Sequence, residues 1–107
     1  MSLDISLDVV MPTEIFSANV THNLTKMAAA AGIYECVWRP EEVGIKKASD
    51  MIAPLRDGIN KLKANPSKFQ KLNPENGWGS YERFVPWLEK YLDACEKYPE
   101  ADIRVSR

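Results

Sequence analysis

VTHNLTKMAAAAGIYECVWRP, residues 20–40, is the stretch around which the rest of the chain is organised. Val20, Leu24, Met27, Ala28 and Ala31 recur at three- and four-residue spacing, which puts them on one face of a helix. The four alanines 28–31 add little bulk and favour helix, so neighbouring elements can approach closely. Thr21 suits the N-cap, its hydroxyl placed to accept from the Leu24 N–H. Gly32 supplies the left-handed residue after the helix, with Ile33 folding back onto it. Residues 34–38 are short and apolar, either one more helical turn or an extended exit. Pro40 forces a break at Arg39.

Working outward, Leu3, Ile5, Leu7 and Val9 alternate with Asp4, Ser6 and Asp8, the period of a half-buried strand. Pro12 and Thr13 turn the chain into a second short strand over 14–20, making a hairpin. After a loop over 41–47, Ile52, Leu55, Ile59 and Leu62 form the stripe of a helix over 48–64, in which Pro54 is tolerable only near the start. Asn65-Pro66 restarts a short helix that presents Phe69 and Leu72. Pro74 to Gly77 is a turn by composition. Gly79-Ser80 opens a last helix over 81–98, with Tyr81, Phe84, Trp87, Leu88, Tyr91, Leu92 and Cys95 on one broad face. Pro86 either kinks that helix or starts it. Ile103 and Val105 alternate with polar neighbours in a closing strand. The expectation is an α+β fold in one domain, residues 1–107. It has a small three-stranded sheet (N-terminal hairpin plus C-terminal strand) with three main helices and one short helix packed on one face.

A chain of 107 residues, 45% hydrophobic and 27% charged, can build one core without staples. No apolar run reaches the length of a membrane span, and the first residues lack the pattern of a secretory signal, so the cytoplasm is the expected compartment. The sequons at Asn19 and Asn23 then carry no glycan, and Cys36 and Cys95 read as reduced thiols rather than a bridge. A net charge of −1 gives no global attraction to nucleic acid or membrane. The charge is uneven: residues 46–71 hold seven Lys or Arg against Asp50 and Asp57, a balance of +5.

Candidate chemistry is sparse. His22 is the single histidine, with no ligand set at zinc spacing and no local partner for a Cys–His nucleophile. Trp38-Arg39-Pro40 and Asn76-Gly77-Trp78-Gly79 each put a tryptophan at a bend. If the bends converge, Trp38, Arg39, Trp78 and Tyr81, with His22, line an aromatic and cationic pocket for a small molecule or nucleotide. The plainer reading wedges both tryptophans between elements and pairs Arg39 with Glu41 or Glu42. The basic stretch reads as a solvated face before it reads as a nucleic-acid patch. With no phosphate loop, paired-carboxylate motif or nucleophile elbow, no enzyme activity, cofactor or metal is expected.

Thr21-His22-Asn23-Leu24, Met27-Ala28, Gly32-Ile33-Tyr34, Trp38-Arg39-Pro40-Glu41-Glu42 and the run from Asn76 to Glu82 resemble a group of small uncharacterised bacterial proteins of phage and prophage contexts. The resemblance spans residue 20 to the C-terminus. It implies a phage-type accessory role and transfers no functional residue, since that group carries no assigned activity. The resulting expectation is a non-catalytic accessory protein that binds another protein, with small-molecule or nucleotide binding as the alternative and nucleic-acid binding through 46–71 as a weaker one.

Overall fold

The computed structural model describes residues 2–8, 14–75, 77 and 79–107, with the backbone alone at Glu14 and Ile15. Strands β1 (Ser2–Asp8) and β2 (Glu14–Thr21) form an antiparallel hairpin, whose turn at Pro12 and Thr13 lies outside the described residues. A 3₁₀ turn (His22–Leu24) leads into α1 (Thr25–Ala30), followed by α2 (Tyr34–Trp38) and a second 3₁₀ turn (Pro40–Val43). Helices α3 (Ala48–Ala64), α4 (Pro66–Gln70) and α5 (Tyr81–Lys97) precede β3 (Asp102–Ser106). The sheet order is β2-β1-β3, antiparallel throughout, so the first strand is central and the fold is α+β.

Strand alternation sorts the sheet into two faces. Leu3, Ile5 and Leu7 of β1 are buried, and their cross-strand neighbours are Val20, Ala18 and Phe16 on β2 and, for Ile5 and Leu7, Val105 and Ile103 on β3. This inner face joins one apolar cluster with the helices. The outer face carries short polar side chains, among them Asp4, Ser6, Ser17, Asn19 and Ser106, around an open groove of about 650 Å³. Asp8 and Asp102 sit directly opposite each other, which alone would destabilise the pair. Arg104 Nη1 lies 3.1 Å from Asp8 and Lys47 Nζ 2.6 Å from Asp102, so each carboxylate has its own cation.

Of the residues predicted for the inner face of the first helix, Leu24, Met27, Ala28 and Ala31 are in the core, Met27 and Ala28 completely. Val20 is buried too, but as a residue of β2 opposite Leu3 and not of the helix. Its start differs from expectation. Thr21 Oγ1 accepts from the Asn23 N–H at 3.2 Å, not from Leu24, because the first turn winds as 3₁₀ before the α-helix begins at Thr25. Its end is a Schellman motif: Ile33 N donates to Ala28 O at 2.9 Å and Gly32 N to Ala29 O at 3.0 Å, with Gly32 at φ +76°. Residues 34–38 take the helical option, and the expected loop after Arg39 opens with a 3₁₀ turn that Gly44 ends at φ +75°.

Helices α3 and α5 lie antiparallel, tied at their rims by Arg56–Glu96 at 2.7 Å and Lys63–Glu89 at 2.6 Å. Pro54 and Pro86 fall well inside α3 and α5, not at the first turn, and both helices run through. The carbonyls they leave without a donor, on Asp50 and Glu82, belong to exposed residues that water can reach. The start of α3 is held by the C-terminal segment: Ala48 N donates to Ala101 O at 2.8 Å and Ser49 N to Pro99 O at 2.9 Å. Asp50 accepts from the Lys47 N–H at 3.2 Å, the acidic half of a capping box. Among the described residues no helix is long and apolar enough to cross a membrane.

Candidate functional site

Pro40 ends α2 at Trp38, and after the break Pro40 and Glu41 lie beside Ile103, Arg104, Val105 and Arg107 at β3. Trp38 is 1% exposed. Tyr34 stacks on its ring at 5.9 Å, Phe84 lies at 6.3 Å, and the His22 imidazole meets it edge-on at 6.4 Å and 78°. Arg39 Nε donates to Tyr34 Oη at 3.1 Å, and its Nη1 donates to Glu42 at 2.7 Å. Those bonds to Tyr34 and Glu42 raise the guanidinium pKa further. Glu41 is bound by Arg107, which also donates to Trp38 O at 2.8 Å. Desolvation works to raise the Glu41 carboxyl, but the Arg107 bond, with a backbone bond and the nearby charges of Arg107 and Arg39, outweighs it and holds the group below the usual range. Every polar group named in this segment therefore has an internal partner, except the Trp38 indole nitrogen.

His22, Trp38 and Arg39 are thus brought into one cluster, with Tyr34 between the last two. Tyr81, at the start of α5, has other partners, its hydroxyl donating to Leu62 O at 2.8 Å and its N–H to Asn73 Oδ1 at 2.8 Å. Trp78 lies outside the described residues. Gly79 packs on the His22 segment: a Cβ there (φ +94°) would stand 2.7 Å from Thr21 Cγ2 and 3.0 Å from Leu24 Cγ.

A run of aromatic contacts crosses the molecule from this cluster. Phe84 stacks on Trp87 at 6.3 Å, Trp87 meets Tyr91 at 5.7 Å, and Tyr91 stacks on Phe16 of β2 at 6.2 Å. Four buried polar atoms without a hydrogen-bond partner among the described residues all belong to this run: His22 Nε2, Trp38 Nε1, Trp87 Nε1 and Tyr91 Oη. Desolvation pushes the Tyr91 phenol well up, with Cys95 and Cys36 adding to it. Both thiols are free and buried, and burial, followed by Glu35 for Cys36 and Glu96 for Cys95, pushes each up to about 12. Such thiols are poor nucleophiles and poor ligands at neutral pH. Among the described residues no group of acidic, histidine or cysteine side chains is arranged to hold a metal.

The basic stretch is divided. Lys47, Arg56 and Lys63 pair with Asp102, Glu96 and Glu89, so three of its seven cations are matched by α5 and β3. A groove that the sequence did not single out lies beside His22, between the start of α1 and the turn after α4. Lys26 and Asn23 line one wall, Lys71 and Asn73 the other. The signal for half of it was present: Lys26 follows His22 by four residues, on the same helical face.

Compared with known proteins, the chain matches no family model, no curated sequence and no solved structure.

Proposed function

We propose that this is a non-catalytic accessory protein of the phage and prophage type, and that its partner is a protein which adds an extended segment to the open edge of β2. The observation that carries this reading is the edge itself. β2 is eight residues long, and among the described residues only β1 pairs with it. Native sheets blunt such an edge with lysine, proline or a short strand, because a free row of N–H and C=O groups recruits other chains. EIFSANVT contains neither lysine nor proline. The opposite edge is treated differently: Ile103 N of β3 donates to Lys46 O at 2.9 Å, and Lys47 bridges to Asp102.

Two further features support the reading. The Trp-Arg-Pro-Glu-Glu side chains are engaged internally, as expected of a structural corner rather than of reacting groups. Val43, 50% exposed, is the one large exposed hydrophobic among the described residues, so a partner would gain more from main-chain pairing than from an apolar patch. The unbridged thiols fit a reducing compartment, the cytoplasm.

The test is capture of a partner from phage-infected host lysate with wild-type and Ser17→Pro baits, followed by hydrogen exchange on the complex. Ser17 is exposed in mid-strand. The expected result is a partner retained by wild type, released by Ser17→Pro and by the milder Ser17→Lys, and protecting β2 amides. A partner kept by both folded variants, or protection confined to another surface, overturns the edge as the site.

A further inference from the structure

We infer that the groove beside His22 is a binding site for a compact phosphate-bearing ligand, separate from the β2 edge. The cavity measures about 440 Å³ and is formed by two elements distant in sequence, the start of α1 and the connection that follows α4. Its volume falls within the range of small-ligand sites. Each wall contributes one lysine, Lys26 and Lys71. Neither pairs with a carboxylate among the described residues, whereas Arg39, Lys47, Arg56, Lys63, Arg104 and Arg107 all do. These two ammonium groups line one cavity from opposite sides. Glu75 is the one carboxylate on the lining.

The neutral groups favour an anion as well. Asn73 uses its side-chain oxygen to accept from the Tyr81 N–H, which fixes the amide and leaves its Nδ2 hydrogens as donors. The His22 ring lines the same cavity and meets Trp38 edge-on. Lysine ammonium groups acting as point charges, with amide donors between them, suit the oxygens of a phosphate.

Titration calorimetry of the full chain at fixed ionic strength, with inorganic phosphate, pyrophosphate and ATP as probes, tests the assignment. Lys26 and Lys71 are both exposed, so Lys26→Gln/Lys71→Gln leaves the fold intact. Expected are saturable binding of at least one probe, a loss of about tenfold or more in that double variant, no change in Lys90→Gln on α5, and a shift of the Asn73 side-chain amide resonance. Tighter binding of ATP than of pyrophosphate identifies a nucleotide; equal binding identifies the free anion. The assignment falls if no probe saturates, if the double variant binds as wild type, or if Lys90→Gln weakens binding equally. Ser17→Pro, which tests the strand edge, leaves this titration unchanged.

Discussion

At Gly58 the absence of a side chain is what lets α3 lie against the segment after α1. A Cβ built there would stand 2.0 Å from Ile33 Cγ2 and 3.2 Å from its Cβ. Replacing a mid-helix glycine with alanine ordinarily stabilises by about 1 kcal/mol. Here overpacking, which costs about 1–3 kcal/mol, opposes that gain. Gly58→Ala is therefore expected to lower stability in urea denaturation, and Ile33→Ala in the same chain is expected to recover part of the loss. Additive effects of the two changes would show that the contact is not the cause. Tyr91 gives a second case. Its hydroxyl is buried without a partner, so Tyr91→Phe removes an unsatisfied group and keeps the ring stacked on Phe16 and against Trp87. A gain of about 1 kcal/mol is expected in the same measurement, and a loss of that size would reveal a partner for the hydroxyl.

Among the elements, the two long helices show how local signals and packing share the work. Ser80 caps α5, its hydroxyl accepting from the Arg83 N–H at 3.3 Å. Ser80→Ala is expected to cost about 1 kcal/mol and Ser80→Asp close to nothing, since aspartate caps as well and sits at the positive end of the helix dipole. Equal melting temperatures for all three chains would remove the cap from the account. The prolines show the opposite balance. Pro54 and Pro86 argue against continuous helices when read alone, yet α3 and α5 continue because each buries a full apolar stripe against the other and the core. Packing along a 17-residue helix outweighs one missing ladder bond when the freed carbonyl faces water.

Across the molecule, the core holds three acids in their neutral forms: Cys36, Cys95 and Tyr91. Burial raises the folded-state thiol values from the ordinary 9.0 to about 12. A group whose folded value is raised binds its proton more tightly in the native state. The stability it contributes is therefore fully present below pH 9 and is lost as pH rises from there through the folded value. Urea midpoints are expected to be level between pH 7 and 8.5 and to fall steadily above pH 9, with a shallower fall in Tyr91→Phe. A flat profile to pH 11 would show that these groups titrate as they do in the unfolded chain.

The sequence by itself determined the elements and their inward faces. Period-two alternation marked β1, helical spacing from Leu24 to Ala31 marked the buried face of the first helix, and Gly32, Ser80 and Asn65-Pro66 marked where helices stop and start. Each is a local requirement of backbone geometry or of burying one face, so it is written in neighbouring residues. Tertiary structure alone decided the rest. The order β2-β1-β3, the β2 edge that no described strand pairs with, the pairing of Arg107 with Glu41, and the groove that joins Lys26 to Lys71 all depend on contacts between segments far apart in the chain. No local pattern encodes which distant carboxylate answers a given lysine, and so none encodes which lysines are left to face a cavity.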